Sequence, residues 1–158
     1  MTLGRELIGL PVVEMRSGRQ LGVIEDLLLD LEHSRLSSLQ VRSGRWLEGC
    51  RELELSRVSQ IGPDGVIVED EPAWSGTATE GLLNVKPQQG KRIIDTAGVE
   101  MGTLEDIEFD AETGELAGWE YSDGIIQDLI KGRRYLPLGL VSTYGEDRVI
   151  IGEGVGTA

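Results

Sequence analysis

The stretch LGVIEDLLLD, Leu21–Asp30, returns eighty positions later as MGTLEDIEFD, Met101–Asp110. A pair of acids followed by a third acid is either a carboxylate site written twice or a structural device written twice. Parity decides between them, because side chains alternate faces along a strand. Leu27 and Leu29 share a face, as do Ile107 and Phe109, but Ile24 and Leu104 join that face only if one extra residue stands at Glu25-Asp26 and at Glu105-Asp106. The break predicts a β-bulge in each copy, which bends a strand enough for a small sheet to curl closed. Gly22 and Gly102, just before the bulge, suit a tight bend or the close approach of another strand. Asp26 and Asp106 are then expected to satisfy backbone donors. Asp30 and Asp110 precede turns; in DAETG the Asp110 carboxylate accepts backbone N–H groups while Gly114 takes the left-handed conformation.

The duplication extends well beyond the motif. At an offset of 80, residues 14–42 lie over 94–122 without a gap; at an offset of 83, residues 51–68 lie over 134–151 with nine of eighteen positions identical. Two long copies mean duplicated domains, since solenoid units are shorter and need about three or more copies. The boundaries follow: a first repeat over 1–72, a linker over 73–81 in the small and polar stretch EPAWSGTATEG, a second repeat over 82–153 and a tail over 154–158. Within the first copy, short β-rich runs at Pro11–Met15, from Leu21, over Leu36–Arg42, around Leu53–Ile61 and over Val66–Glu69 are separated by turn residues, notably Gly62-Pro63-Asp64-Gly65. Five or so strands on hairpin-scale loops predict a mainly β fold, a small antiparallel barrel in each repeat.

Composition narrows the function. The net charge of −13 is spread over both halves, so no basic stripe is present to neutralise phosphates and direct nucleic-acid binding is not expected. Hydrophobic residues make up 39% of the chain, yet no run reaches the length of about 18 apolar residues that a membrane span requires. The start, MTLGRELIGL, does not read as a signal peptide, which makes a cytoplasmic location the expectation. Cys50 is the only cysteine and reads as a partly buried thiol, because the only histidine, His33, falls in a polar turn with no evident pairing to it. The spacing of Asp26, Asp30 and Glu32 is not that of an EF-hand loop, and no phosphate-binding glycine motif occurs. No catalytic residue, metal site or cofactor is expected.

Taken in order, Gly98, the run MGTLEDIEFDAETGEL, a return strand, RRYLPLGLV and a closing Val-Ile-Ile strand resemble the PRC-barrel domain. The first copy matches more loosely, lacking the turn glycine at Glu32-His33-Ser34-Arg35 and carrying Glu54 in place of the proline. The resemblance implies two small PRC-type β-barrels in tandem. It is a domain shared with the cytoplasmic H subunit of the photosynthetic reaction centre and with the C-terminal part of a ribosome maturation factor. The resemblance therefore implies a binding or adaptor role rather than catalysis. The alternative is an accessory role in ribosome assembly or RNA processing, exercised through a ribosomal protein.

Where the copies differ, a partner is the natural explanation to weigh. The second repeat alone carries Ile125, Ile126, Leu129 and Ile130 at helical spacing, between Asp123-Gly124 and the basic Lys131, Arg133 and Arg134. This predicts a short helix, either a lid over its own barrel or an apolar stripe turned to a partner. Trp119 stands where the first repeat has Leu39 and reads as core. Trp74, in the linker, reads as packed between barrels or presented to a partner. The barrels are expected to pack on each other through the linker region. The acidic chain calls for a basic or membrane-associated protein as partner, placing the protein at the membrane only through that partner; self-association into a homo-oligomer is also compatible.

Overall fold

The computed structural model describes residues 1–44, 49–70, 74, 81–123 and 134–152. Among them the chain is mainly β, arranged as two curled seven-stranded sheets that repeat one another. The first repeat supplies β1 (Thr2–Leu3), β2 (Pro11–Glu14), β3 (Gln20–Asp30), β4 (Arg35–Arg42), β5 (Cys50–Glu54), β6 (Gln60–Ile61) and β7 (Val66–Val68). The second supplies β8 (Leu83–Asn84), β9 (Arg92–Asp95), β10 (Glu100–Phe109), β11 (Leu116–Ser122), β12 (Arg134–Leu136), β13 (Val141–Tyr144) and β14 (Arg148–Ile151). One sheet runs β5-β4-β3-β2-β7-β6 and the other β12-β11-β10-β9-β14-β13. Most neighbours are antiparallel, but β2 with β7 and β9 with β14 are parallel, which brings the last strand of each copy beside its first long one.

The remaining strand of each sheet comes from the other repeat. β1 pairs with β10, Thr2 opposite Phe109 and Leu3 opposite Glu108. β8 pairs with β3, Asn84 opposite Leu28 and Leu83 opposite Leu29. The two exchanges are equivalent positions of the duplication: Glu108 and Phe109 are the counterparts of Leu28 and Leu29 at the offset of 80. After its exchanged strand, each lead segment ties back to its own repeat. Gly9 donates to the Ile24 carbonyl at 2.8 Å, and Gly90 to the Leu104 carbonyl at 2.8 Å. Burial follows the same plan. Leu27, Leu29, Leu39 and Val66 of one copy and Ile107, Phe109, Trp119 and Val149 of the other belong to a single hydrophobic cluster. Each such side chain, fully buried, contributes about 1.5–3 kcal/mol relative to exposure, so the shared core binds the copies together.

The bulges stand where parity puts them. Register slips between Ile24 and Asp26 on β3 and between Leu104 and Asp106 on β10, leaving Glu25 and Glu105 as the extra residues. Glycine is needed beside them for a steric reason. A Cβ on Gly22 would stand 2.6 Å from the Arg42 carbonyl oxygen, and one on Gly102, at φ +144°, would collide with the Ser122 carbonyl oxygen. The stretch Leu53–Ile61, anticipated as one strand, divides: β5 ends at Glu54, a single 3-10 turn covers Leu55–Arg57, and β6 resumes at Gln60. The apolar positions of residues 125–130 and the helix expected there lie outside the described residues, as does Trp46.

Candidate functional site

The repeated acids occupy matched stations between the repeats. Asp26 is 4% exposed and Asp106 1% exposed. Asp26 accepts hydrogen bonds from the Lys86 N–H at 2.9 Å, the Leu27 N–H at 2.8 Å and the Asn84 side-chain amide at 3.0 Å. Asp106 accepts from the Arg5 N–H at 2.9 Å, the Ile107 N–H at 2.8 Å and the Gln89 side-chain amide at 3.2 Å. Each carboxylate thus holds the 3-10 turn that follows the strand donated by the other repeat, Gly4–Glu6 in one case and Lys86–Gln88 in the other. Such a turn begins with backbone N–H groups that have no internal partner, and a buried carboxylate is a strong acceptor for them. Gly4 lets the fit happen: a Cβ there would lie 2.6 Å from an Asp106 carboxylate oxygen.

Charge is compensated around these stations. The Arg5 guanidinium donates to both Glu120 oxygens at 3.3 and 3.4 Å and lies 3.7 Å from Asp106. At the Glu120 position the first repeat has uncharged Gln40. The bulge acids face the return strands instead. Glu25 takes the Arg42 guanidinium at 3.1 Å, which holds its carboxyl below the usual range, and Glu105 accepts from the Ser122 hydroxyl at 2.6 Å. Among the described residues, no three His, Cys, Asp or Glu side chains gather into a group that could hold a metal ion.

Asp110 builds the anticipated turn, accepting from the Glu112 N–H at 2.8 Å and the Thr113 N–H at 3.2 Å, with Gly114 at φ +80°. In the first copy Asp30 accepts from the His33 N–H at 3.1 Å, and Ser34 takes the left-handed position without a glycine, at φ +52°. The His33 ring also meets the Asp30 carboxylate at 2.8 Å; that contact raises the His33 pKa and lowers that of Asp30. The two turns then join each other. Leu36 N–H donates to the Gly114 carbonyl at 2.7 Å, Leu116 N–H to the Ser34 carbonyl at 2.9 Å, and the Arg35 guanidinium to the Thr113 carbonyl at 2.9 Å. Gly114 packs so closely on the first repeat that a Cβ would stand 2.7 Å from Leu55 Cδ2.

Of the residues anticipated as partner-binding, Trp74 is half-buried and packs against the core, with the Arg51 guanidinium carbon 5.7 Å from the centre of its ring. Its indole nitrogen is buried without a hydrogen-bond partner. Ile125, Ile126, Leu129 and Ile130 fall in a segment outside the described residues. Trp119 is fully buried and its indole N–H donates to the Tyr144 hydroxyl at 2.9 Å. Sequence reading did not single out Glu52 on β5, a buried acid with one oxygen unpartnered and its pKa pushed up by desolvation. Its run, RELEL, alternates as a strand should, and nothing in that pattern marks the outer face as covered.

A comparison with curated proteins gave no match. The family model for the PRC-barrel domain matches twice, over residues 1–73 and 88–156. Two curled β sheets with the same strand order, the same bulge and the same turn acid carry that likeness in space, and the chain belongs to the PRC-barrel family as a tandem of two such domains.

Proposed function

We propose that the protein is a non-enzymatic binding module, an adaptor whose two PRC-barrels form one rigid body and present a surface to a protein partner. The observation that carries this reading is the assignment of the twice-written acids: Asp26, Asp30, Asp106 and Asp110 all accept backbone hydrogens that hold the fold, which gives the motif a structural purpose in both copies. What distinguishes the copies is then the better guide to recognition. The segment joining β11 to β12 is three residues longer than its counterpart in the first repeat and carries an apolar stripe, Ile125, Ile126, Leu129 and Ile130, that the first repeat lacks. Trp74, which lies between the two copies in sequence, packs on the core with its indole nitrogen buried and without a hydrogen-bond partner.

The net charge of −13 favours a partner with a basic face, whether a cytoplasmic protein or the positive loops of a membrane protein. Association with such a partner weakens as salt screens it. The test is crosslinking and mass spectrometry with the native chain, followed by Ile126→Ser with Leu129→Ser and by Trp74→Ala. A crosslinked partner that these variants lose while keeping the wild-type β-sheet circular dichroism supports the reading. Variants that unfold instead assign the 125–130 stripe to a barrel lid.

A further inference from the structure

The contacts between the repeats come in reciprocal pairs. Thr2 faces Phe109 and Leu83 faces Leu29, and these are one pair with the repeats interchanged, since the lead segments align at an offset of 81 and the bulged strands at an offset of 80. The bond from the Arg5 N–H to Asp106 and that from the Lys86 N–H to Asp26 correspond in the same way. So do the bonds from the Leu36 N–H to the Gly114 carbonyl and from the Leu116 N–H to the Ser34 carbonyl. Contacts that join residue i to j and again j to i make an isologous interface, the kind formed by two identical subunits about a twofold axis. Between the last two bonds Arg35 and Glu115 face each other as bridge partners, and at the offset of 80 Glu115 is the counterpart of Arg35 itself. A residue meets its own counterpart only on such an axis.

The pair on the axis carries opposite charges. The two flanking bonds make it a non-hydrogen-bonded antiparallel pair, the type that brings facing side chains closest. Opposite charges are favourable in that position and like charges are unfavourable. Two first repeats joined in this way would set Arg35 against Arg35, and two second repeats Glu115 against Glu115. Arg5 adds to the selection: it donates to Glu120, and against another first repeat it would meet uncharged Gln40 instead. Repelling the wrong pairings confers specificity as effectively as strengthening the right one.

We infer that this joint is a dimer interface closed within one chain, that it fits a first repeat to a second repeat of the same chain or of a second copy, and that Arg35 and Glu115 select this unlike pairing. The inference goes beyond the binding-module reading and does not depend on it. A short linker holds its two ends at an effective concentration on the order of millimolar, so the chain closes on itself in dilute solution. Once the linker is cut, the same joint forms between separate molecules.

The test uses the full-length protein with a protease site in place of residues 76–79, cut after folding. The halves share one hydrophobic core, and native mass spectrometry at about 1 µM is expected to find them as a complex of one first repeat with one second repeat. Co-refolding from urea with isotopically labelled cut protein is expected to mix labelled and unlabelled halves, always one of each repeat. Glu115→Arg, at an exposed position, is expected to weaken the complex by at least about threefold, and adding Arg35→Glu to return most of that loss. The inference is overturned if the halves separate at that concentration, if like repeats pair as readily as unlike ones, or if Glu115→Arg binds as wild type does. Should the cut halves precipitate, the uncut chain refolded at about 1 mM gives the reading: a two-chain dimer by size exclusion with light scattering is expected, and monomer alone overturns the inference.

Discussion

Replacing Asp106 by Ala tests the joint between the repeats at a carboxylate that is only 1% exposed. The change removes the acceptor for three donors: the Arg5 N–H, the Ile107 N–H and the Gln89 amide. A hydrogen bond to a charged group contributes about 1.5–3 kcal/mol, and donors left unpaired in a buried setting lose still more. The three bonds are not additive, and the Arg5 amide is only partly enclosed, so the expected loss is about 3–5 kcal/mol. For a chain of this size that corresponds to a fall in Tm of roughly 6–20 °C. Urea unfolding followed by far-ultraviolet circular dichroism measures the loss. Native-state hydrogen exchange locates it: the Arg5 amide, 101 positions away in the chain, must lose protection together with Ile107. Asp26→Ala is expected to do the same to Lys86, 60 positions away. A loss below about 1 kcal/mol, or one confined to the amides beside the substituted residue, would refute the assignment of these acids to the joint.

Three further outcomes follow from the geometry. Gly114→Ala forces a left-handed residue against Leu55 and costs about 2 kcal/mol or more, and adding Leu55→Ala returns part of it in a denaturation cycle, because only the contact is relieved and the φ of +80° is not. Tyr144→Phe leaves the buried Trp119 indole N–H without its acceptor and costs about 1–3 kcal/mol by urea unfolding, with no loss of the sheet. His33, the only histidine, gives one imidazole titration by NMR, expected above the ordinary value of 6.5 and falling back toward it in Asp30→Asn. Because the folded pKa of His33 is raised, its small contribution is present below the ordinary histidine range and disappears as pH rises through the folded value. Asp30 is lowered, so its share is present above the ordinary carboxyl range and disappears as pH falls through its folded value.

Much of the local structure was legible in the residues, for identifiable reasons. A break in period-2 alternation has few causes, and the bulges at Glu25 and Glu105 are the commonest of them. The turn at Asp110–Gly114 is spelled by residues whose conformational preferences need no tertiary context, and Trp119 is buried as its correspondence to Leu39 implies. Reading Asp26 and Asp106 as acceptors for backbone donors was also within reach, but the identity of the donors was not. At an offset of 81 the lead segments Thr2–Glu14 and Leu83–Asp95 share one identity, Gly9 with Gly90, and the like pairs Arg5 with Lys86, Val12 with Ile93, Val13 with Ile94 and Glu14 with Asp95. The duplication therefore fades where the exchange takes place. A deeper obstacle is that the copies are alike: Arg5 could in principle dock on Asp26 or on Asp106, using the same bond either way. Periodicity describes which face a strand buries and carries no information about which of two similar sheets receives it.

The exchange of lead strands is the central claim, and cross-strand NMR contacts test it most directly. Antiparallel neighbours bring opposite residues within about 5.5 Å between Cα atoms, close enough for nuclear Overhauser effects between the strands. Contacts are predicted between Thr2 and Phe109, Leu3 and Glu108, Leu83 and Leu29, and Asn84 and Leu28. Contacts of Thr2 and Leu3 with Leu28 and Leu29, and of Leu83 and Asn84 with Glu108 and Phe109, would contradict it, because each repeat would then be closed by its own lead strand.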